Sequence, residues 1–324
     1  MSKSNVFVTG GYGLLGTWLV KGLLDRGDRV TVVRRDRAPN SALVIEGLEA
    51  RCDVVQGDIL DAALMDRVLG EYEIDTVFHL AAQTIVGTAN RSPSATFDTN
   101  IRGTWSVLEA CRLHGVARTI VASSDKAYGT QPALPYDETM PLLARHPYDV
   151  SKAAADMLAR SYWTTYGLPV AVTRLANLYG GGDLNPSRLI PGAIASALRG
   201  EAPIVRSDGS PERDYLHVDD AVAAYLAIAD LLGAADPDRP AAGEAFNAGA
   251  GVPWRVDAVV GLVCEAAGTG VRPDVRGAGV PHGEIDRQYL DSTKLREATG
   301  WAPKIGLAEG LARTVEWHRA HPSR

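Results

Sequence analysis

The fold is decided near the N-terminus by the stretch Asn5-Val-Phe-Val-Thr9-Gly10-Gly-Tyr-Gly13-Leu14-Leu15-Gly16. Its first five residues form an apolar run, which predicts a short buried strand. Leu15, Leu19 and Leu23 then recur at the spacing of one helix face. This helix is expected to end near Gly27. A turn of the pattern G-x-x-G-x-x-G therefore joins a strand to a helix.

This turn predicts a binding site for a dinucleotide. Gly10 permits a tight turn, Gly13 lets the backbone approach a pyrophosphate, and Gly16 lets the helix pack closely on the strand. The start of the helix supplies free N–H groups and a partial positive charge for the phosphates. We expect five residues of the turn to bind the cofactor, namely Gly10, Gly13, Leu14, Leu15 and Gly16.

The second predicted strand, Arg29–Val33, leads into a basic segment that bears on the form of the cofactor. A carboxylate at its end would bind the ribose hydroxyls of NAD, whereas an arginine can hold the 2′-phosphate of NADP. Arg34 occupies this position and Arg35 follows it. The alternative is that both arginines are solvated and only cover the adenine. We expect tightly bound NAD or NADP, with NADP slightly favoured.

Further strands and helices alternate along the first half of the chain. The predicted strands are Val54–Gly57, Asp75–Leu80, Thr119–Ala122 and Pro169–Arg174, and the predicted helices are Ala62–Glu71, Ser94–His114 and Tyr148–Tyr166. This order predicts an α/β fold with a doubly wound parallel (Rossmann) sheet over residues 1–175, joined by segments that return from the C-terminal half. Residues 176–324 are expected to form a smaller C-terminal α/β substrate lobe, helical at Val256–Ala267 and Leu307–His321, without a core of its own.

Residues close to the predicted strand ends complete the expected cofactor site, because a parallel sheet binds ligands at that edge. These residues are Asp58, Ile59, Ala81, Ala82 and, in the helix that follows, Asn100. His79 lies within an apolar strand and is interpreted as a core residue. Glycine, proline and aspartate cluster in four predicted loops, which are Gly129–His146, Gly180–Pro186, Ala234–Gly243 and Arg272–Gly283.

Two short motifs supply the candidate reactive groups. Ser124, Asp125 and Lys126 follow an apolar strand, where a parallel sheet presents side chains to a ligand. Tyr148 and Lys152 are four residues apart and share one face of a predicted helix. An ammonium beside a phenol favours the phenolate, so we expect Lys152 to lower the pKa of Tyr148 from about 10 toward neutrality. Tyr148 could then remove a proton from a sugar or alcohol hydroxyl.

Polar residues interleaved with turns mark the second half of the chain. Asn185, Arg188, Arg206 and Arg213 are of the types that a diphosphate site needs. Pairing with nearby surface acids is the alternative interpretation of each arginine. The full set of expected substrate contacts is Gln83, Ser124, Asn177, Asn185, Arg188, Leu189, Arg206 and Arg213.

Composition limits the classes of function that are open to the chain. Its 324 residues are 46% hydrophobic and 22% charged, as expected for a soluble globular enzyme. The net charge of −6 does not favour nucleic-acid binding, and no apolar run is long enough to span a membrane. Cys52, Cys111 and Cys264 are distant from one another, and we expect no metal site and reduced thiols in a cytoplasmic protein.

Taken together, these motifs resemble the extended short-chain dehydrogenase/reductases that act on nucleotide sugars. The resemblance runs from Val6 to about Trp317 and rests on the glycine turn, Asp58, Asn100, Ser124, the Tyr148/Lys152 pair, Arg174-x-x-Asn177-x-Tyr179-Gly180, and Arg213-Asp214 with Val218-x-Asp220. It implies a nucleotide-diphosphate sugar as substrate. It also suggests a homodimer that forms through the Ser94–His114 and Tyr148–Tyr166 helices.

Within this family the Asp-Lys pair after the fifth strand, with the segment GGGDLN-x-SRLIP, looks like that of CDP-glucose 4,6-dehydratases. The resemblance implies that the sugar is oxidised at C4, that water leaves from C5 and C6, and that the hydride returns to C6. Tyr148 would be the base at C4, while Lys152 binds the nicotinamide ribose and Ser124 hydrogen bonds with the C4 oxygen. Asp125 would protonate the leaving C6 hydroxyl and Lys126 would take the C5 proton.

Two other functions remain open from the sequence. A lysine must be neutral to act as a base, which requires burial or a cationic neighbour. If Lys126 stays charged and only neutralises an enolate, the chain is a nucleotide-sugar 4-epimerase or another C4 oxidoreductase. The remote alternative is a non-catalytic protein that senses dinucleotides.

Overall fold

A computed structural model describes residues 3–234, 241–279 and 285–322. The predicted loops Gly129–His146 and Gly180–Pro186 lie within these ranges and are largely irregular, whereas Ala234–Gly243 and Arg272–Gly283 lie partly outside the described residues. In the described part of the last loop, Asp274–Val275 forms a two-residue strand. Among the described helices, none is long and apolar enough to cross a lipid bilayer.

The strands follow the alternation predicted from the sequence and add several in the C-terminal half. They are β1 (Asn5–Thr9), β2 (Arg29–Arg34), β3 (Asp53–Gln56), β4 (Thr76–His79), β5 (Arg118–Ala122), β6 (Val170–Leu175), β7 (Asn177–Tyr179), β8 (Ile204–Val205), β9 (Glu212–His217), β10 (Ala245–Ala248), β11 (Pro253–Arg255), β12 (Asp274–Val275) and β13 (Arg287–Gln288).

The helices include one long helix that carries the reactive tyrosine and lysine. They are α1 (Leu14–Asp25), α2 (Ala42–Ile45), α3 (Ala62–Glu71), α4 (Val86–Arg91), α5 (Pro93–Phe97), α6 (Gly103–Leu113), α7 (Pro147–Tyr166), α8 (Leu189–Leu198), α9 (Val218–Ala234), α10 (Val256–Ala267), α11 (Thr293–Thr299) and α12 (Leu307–Ala320). Short 3₁₀ turns occupy Glu49–Arg51 and Asp125–Tyr128.

The central sheet is parallel and has seven strands in the order β10-β6-β5-β4-β1-β2-β3. Successive side chains of a strand point to opposite faces, so both faces need apolar residues where helices cover them. In β1, Val6 and Val8 pack in one core cluster while Phe7 packs in another. This pattern confirms the doubly wound Rossmann sheet that the sequence predicts.

The glycine turn after β1 has the geometry that its sequence requires. Gly10 has φ of +75°, and a Cβ there would lie 2.7 Å from the backbone nitrogen of Ala81. A Cβ on Gly16 would overlap the carbonyl oxygen of Gly10. The two glycines therefore allow α1 to begin directly against the end of the sheet, with its free N–H groups facing the ligand side.

The helix predicted over Ser94–His114 is divided in the structure. It begins with α5, continues as a π-helical segment at Asp98–Arg102, and only then becomes α6. Asn100 lies in the π segment with its side chain turned inward, where its Oδ1 accepts from Gln83 N at 2.7 Å and its Nδ2 donates to Ser151 Oγ at 2.8 Å. A local π turn accommodates such an inward side chain, and single-residue propensities do not predict it.

The C-terminal lobe has an apolar core, so the expectation that it lacks one is wrong. Its helices α8, α10 and α12 bury a separate cluster that includes Ile190, Ile194, Val205, Val259, Val263, Leu311 and Val315. β9 pairs with β7, β11 and β13 beside this cluster. β10 instead joins the central sheet, where Ala245 pairs with Val172 of β6. The chain thus returns to the sheet after residue 241, and the ligand cleft forms between sheet and lobe.

Candidate active site

A cleft of about 1750 Å³ opens at the carboxyl ends of β1, β4, β5 and β6 and is closed on its far side by α8 and β9. This is where a doubly wound sheet binds ligands. The predicted site residues that line the cleft are Gly10, Gly13, Leu14, Leu15, Gly16, Ala82, Ser124, Asp125, Lys126, Tyr148, Lys152, Asn177, Asn185, Arg188, Leu189, Arg206 and Arg213. The fold therefore brings residues from Gly10 to Arg213, which are distant in the chain, to one place.

Tyr148 and Lys152 lie on the first turns of α7, where Pro147 starts the helix in a position that needs no backbone N–H. Both side chains are buried, and Lys152 Nζ donates to the carbonyl oxygen of Ala122 at the end of β5, at 2.7 Å. The lysine is thereby held against the sheet. Burial lowers the pKa of Lys152 to about 8.

The pKa of Tyr148 differs from the expectation. Burial raises it to about 12, and a hydrogen bond with Ser124 opposes the shift. Asp125 and Asp149 raise this pKa further, while Arg188 lowers it. The prediction that Lys152 brings the phenol toward neutrality is therefore wrong, because burial raises the pKa of Tyr148 by more than Ser124 and Arg188 lower it.

Ser124 connects the other reactive groups. It follows β5 in an extended conformation and caps the 3₁₀ turn, so that its Oγ accepts from Lys126 N at 3.2 Å. Its hydroxyl donates to Asp125 Oδ1 at 3.0 Å, and hydrogen bonding by Ser124 to the phenolate form lowers the pKa of Tyr148. The Ser124 side chain therefore acts on both the candidate acid and the candidate base.

Asp125 is a buried carboxyl group that faces the cleft and is 1% exposed. Its Oδ2 has no hydrogen-bond partner among the described residues. Its backbone oxygen accepts from Gln288 Nε2 at 2.9 Å, which fixes the turn that carries it. A buried oxygen without a partner is costly unless a ligand supplies a donor, so this oxygen points to a role toward substrate.

Lys126 is surrounded by anionic and polar oxygen atoms rather than by cations. Its Nζ lies 3.4 Å from Asp125 Oδ1 and 3.2 Å from Asn177 Oδ1. Asp149 is a further carboxylate whose charge interacts with Lys126. Contacts with Asp125 and Asn177 therefore fix the position of the Lys126 side chain in the cleft.

Asp149 and Gln288 are cleft residues that sequence reasoning missed. Asp149 is 7% exposed, and burial raises its pKa to about 6, while Lys126 and His146 act against the shift. The signal for Asp149 was available, since it directly follows Tyr148 in the reactive motif. Gln288 lies 163 residues beyond Asp125 on β13, and no local pattern marks it.

Two of the residues expected near the adenine of the cofactor, Arg34 and Arg35, do not line the main cleft. Arg34 pairs with Glu49 Oε1 at 3.0 Å and donates to Gln56 Oε1 at 3.0 Å. Arg35 and Gln83 line a smaller cavity of about 280 Å³ that also reaches Ala82. Gln83, predicted as a substrate contact, does not line the main cleft.

Four further residues that were predicted to contact the cofactor lie behind the wall of the cleft. Asp58 caps a turn by accepting from Leu60 N at 3.0 Å, and Ile59 packs in the core against α6. Ala81 N donates to Thr9 Oγ1 at 3.2 Å, and Asn100 holds the segment at Gln83 from behind. The last two position neighbouring backbone and do not line the cleft.

His79 is a core residue, as the sequence indicates. Its ring lies between the hydroxyls of Thr9 and Thr104, at 2.8 and 3.0 Å. Burial lowers the pKa of His79 to about 3, with a smaller contribution from the charge of Lys152. It is therefore neutral and serves to hold β1, β4 and α6 together.

The substrate side of the cleft carries the predicted arginines and amides. Arg188 precedes α8, pairs with Asp183 at 3.1 Å and donates to Thr84 Oγ1 at 2.8 Å. Arg213, on β9, donates to the backbone oxygens of Glu212 and Asp286. The arginines thus stand on different elements around one cavity, an arrangement that suits an anionic group.

A family model described as the NAD dependent epimerase/dehydratase family matches residues 6–249. The chain belongs to this family. It is 34% identical over 328 residues to a dTDP-glucose 4,6-dehydratase of Streptomyces antibioticus, an alignment that covers 97% of this chain and 92% of that protein. The resemblance to nucleotide-sugar enzymes of the extended short-chain dehydrogenase/reductase type is confirmed.

Solved structures of both reaction types share the fold. A dTDP-glucose 4,6-dehydratase from Streptomyces venezuelae with NAD bound superposes with a TM-score of 0.86 at 32% identity, covering 98% of this chain and 97% of that one. A UDP-glucose 4-epimerase from Thermotoga maritima with UDP-glucose gives 0.87 at 32% identity, covering 98% and 99%. The chain is therefore an enzyme of the dehydratase and epimerase class.

Proposed function

We propose that this chain is a nucleotide-sugar 4,6-dehydratase that converts an NDP-hexose into an NDP-4-keto-6-deoxyhexose. The observation that carries the proposal is Asp125, a buried carboxyl group in the cleft with one oxygen free of partners among the described residues. Loss of water from C5 and C6 needs an acid at C6, whereas epimerisation at C4 does not. The similarity to dTDP-glucose 4,6-dehydratases supports the same choice.

The cleft fits a nicotinamide dinucleotide, and the chain binds one tightly because hydride leaves and returns within a turnover. A Cβ on Gly13 would meet only the carbonyl oxygen of Gly10 at 3.4 Å, so the side toward the cleft is open for a pyrophosphate. Leu14 and Leu15 line the same end, and Lys152 is placed to hold the nicotinamide ribose. When bound, the nicotinamide supplies the acceptor and then the donor of the hydride.

We propose NADP rather than NAD as the cofactor, because two arginines follow β2 where NAD enzymes of this fold place a carboxylate. Arg34 must release Glu49 in order to hold a 2′-phosphate, since the two are paired in the ligand-free protein. Arg35 lies beside the small cavity near Ala82 and pairs only with the exposed neighbour Asp36 among the described residues.

The protein's own groups handle the protons of the proposed reaction. Tyr148 takes the proton of the C4 hydroxyl, while Ser124 hydrogen bonds with the C4 oxygen. Once C4 is a ketone, the C5 proton is acidic, and Lys126 in its neutral form takes it and stabilises the resulting enolate as the ammonium. Asp125 gives a proton to the departing C6 hydroxyl, which leaves as water.

The substrate proposed is a nucleoside diphosphate hexose, with CDP-glucose as the first candidate. Arg188, Arg206 and Arg213 would bind the diphosphate and Asn185 would add amide contacts. The relatives cited above act on dTDP- and UDP-sugars by name, so the nucleotide base of the substrate is the least constrained part of the proposal. Asn177, which contacts Lys126 at 3.2 Å, would position the sugar together with Leu189.

A 4-epimerase is the second candidate, and one observation favours it. The Nζ atom of Lys126 lies 3.4 Å from Asp125 Oδ1, and Lys126 also interacts with the charge of Asp149, so its contacts are those of a group that pairs with anions. A fixed positive charge near the sugar suits stabilisation of a C4 oxyanion as well as elimination. The similarity to a UDP-glucose 4-epimerase is as high as that to the dehydratases.

A homodimer in the cytoplasm completes the proposal. α6 and α7 expose large apolar side chains, namely Trp105, Leu113, Val150, Met157, Trp163 and Tyr166. Several exposed large apolar side chains on two neighbouring helices are typical of a subunit interface. We propose that a second copy of the chain covers it.

The deciding experiment follows mass and solvent deuterium together. The enzyme, loaded with cofactor, is incubated in heavy water with CDP-, GDP-, UDP- and dTDP-hexoses in turn. A dehydratase yields a product lighter by one water that carries deuterium at C5. An isomer of unchanged mass without label at C5 would replace the dehydratase by the epimerase. No turnover of any nucleotide sugar, with cofactor bound normally, would instead support the dinucleotide-sensing protein.

A further inference from the structure

Gln288 is a fully buried polar residue that forms part of the wall of the main cleft and has no part in the proton transfers described above. Its Nε2 donates to the backbone oxygen of Asp125 at 2.9 Å. Because a carbonyl oxygen can only accept, this contact determines which end of the amide group is Oε1. Oε1 has no hydrogen-bond partner among the described residues. A buried acceptor of this kind is costly unless a ligand brings a donor to it.

Gln288 lies next to two residues that have proposed roles at different ends of the substrate, so the inference rests on the proposed function. On β13 it pairs with Arg213 of β9, which is proposed to bind the diphosphate. Through its amide it also holds the turn that carries Asp125, the proposed acid at C6. The diphosphate of an NDP-hexose is attached at C1, and the ring joins C1 to the reacting carbons. A cleft residue beside both groups is therefore placed beside the hexose.

The strand that carries Gln288 is fixed on both sides, which keeps the amide group in one position. Arg287 Nε donates to Glu212 Oε2 at 2.6 Å. The backbone oxygen of Tyr289 accepts from Tyr136 N at 2.9 Å. An acceptor that is already held in place binds a ligand without the additional cost of being ordered.

The chemistry of the sugar limits which of its groups can serve as the donor. The hydroxyl groups of an NDP-hexose are at C2, C3, C4 and C6. In the proposed reaction the C4 hydroxyl meets Tyr148 and Ser124, and the C6 hydroxyl meets Asp125. The hydroxyls at C2 and C3 do not react, and they are the donors that remain for Gln288.

We propose that Gln288 Oε1 accepts a hydrogen bond from the C2 or C3 hydroxyl of the hexose and thereby selects sugars that carry it. Gln288 then holds the ring through a hydroxyl that does not react, while its Nε2 holds the backbone of Asp125. A sugar that lacks this hydroxyl leaves Oε1 buried and unpaired. Sites that hydrogen bond with a substrate hydroxyl discriminate against analogues without it for this reason.

The test measures dissociation constants by calorimetry with enzyme that is loaded with the reduced nicotinamide cofactor, which cannot accept a hydride and so leaves the sugar unchanged. The probes are CDP-, GDP-, UDP- and dTDP-glucose and the corresponding nucleoside diphosphates. The glucose compound that binds most tightly is then compared with its 2-deoxy and 3-deoxy analogues. We expect the wild type to bind one of the two analogues about three- to tenfold more weakly than the glucose compound.

Gln288→Met keeps the length of the side chain but removes both polar atoms. It should lose about the same factor in affinity for the glucose compound, no longer distinguish it from the deoxy analogue, and bind the nucleoside diphosphate as the wild type does. The matched control is Gln131→Met, since Gln131 Nε2 also donates to backbone oxygens, those of Tyr128 and Pro141, both at 2.7 Å. Gln131 is not among the described residues that line the cleft, so its replacement should not change the discrimination.

Equal weakening of the sugar and the nucleoside diphosphate in Gln288→Met, or discrimination that persists there, would overturn the proposal and leave Gln288 as a support for the turn. A wild type that binds both deoxy analogues as tightly as glucose would overturn it without any variant. Gln288→Asn, which shortens the reach of the acceptor, replaces Gln288→Met if the latter does not fold. If none of the nucleotide sugars binds, the proposed function and this inference fail together. The expected binding pattern with a product of unchanged mass would remove the dehydratase alone.

Discussion

Replacing Asp149 by asparagine should stabilise the ligand-free enzyme while it impairs turnover. Asp149 is buried at the start of α7, and the groups that shift its pKa act through burial and charge rather than through hydrogen bonds. A carboxylate in such a place is costly to ionise. Asparagine has nearly the same shape and no charge, so it removes this cost and also removes the charge that faces Lys126.

The magnitude follows from the pKa, which burial raises from 3.8 to about 6. At a pH well below 3.8 the Asp149 carboxyl group is neutral in both the folded and the unfolded chain and does not lower stability. Above the higher value it is ionised in both, and the full shift corresponds to about 3 kcal/mol of destabilisation. Because the carboxylate lines an open cleft, water recovers part of this cost, and we expect a gain of about 1–3 kcal/mol near pH 8. Near pH 5 the gain should fall to about half.

The assay is urea unfolding of the wild type and Asp149→Asn, both without ligand, at several pH values. The dependence of the unfolding free energy on urea concentration should be equal in the two proteins, which checks two-state behaviour. Glu297→Gln, which removes an exposed carboxylate on α11, is the matched control and should change stability by less than about 0.5 kcal/mol at every pH. A gain that does not depend on pH, or a loss near pH 8, would refute the reasoning from burial.

Three other substitutions test separate parts of the structure. Tyr148→Phe should retain fold and cofactor but lose turnover by about 10²-fold or more, since a positioned acid–base group contributes at least that much; near-normal rates would exclude it as the base. Arg34→Asp should shift relative affinity from NADP toward NAD in equilibrium titrations, and an unchanged ratio would show that Arg34 does not bind the 2′-phosphate. Met157→Glu, which places a charge on an α7 side chain that is 64% exposed, should weaken self-association in sedimentation, whereas Ile204→Glu on the lobe should not.

Much of the fold was predictable because its signals are local. The predicted helices Ala62–Glu71 and Val256–Ala267 match α3 and α10 to the residue, since their apolar residues recur at helical spacing and turn signals bound them. The glycine turn predicted the first βα unit, because Gly10 and Gly16 occupy positions where a side chain would collide with backbone. These features depend on a few neighbouring residues.

Properties that arise from distant contacts could not be predicted. The pKa of Tyr148 is set by how deeply the folded chain buries the phenol, and a Tyr-x-x-x-Lys spacing does not contain that information. The pairing of Arg34 with Glu49 depends on a 3₁₀ turn between β2 and β3. The core of the lobe forms only when α8, α10 and α12 meet, and no local spacing within one helix indicates that meeting.

The surroundings of Lys126 bear most directly on how the site works. A neutral lysine base requires burial or a cationic neighbour, but the described structure places Asp125 and Asn177 within 3.4 Å of Nζ and adds the charge of Asp149. To act as a base at C5, Lys126 must first give up a proton, and a neighbouring carboxylate can accept it. Asp149 suits that purpose, because burial raises its pKa to about 6 and so brings it nearer to that of an amine than an exposed carboxylate would be. Burial of the Asp149 carboxyl group then lowers stability but serves the reaction. An enzyme that lacks this carboxyl group should be more stable and less able to remove the C5 proton.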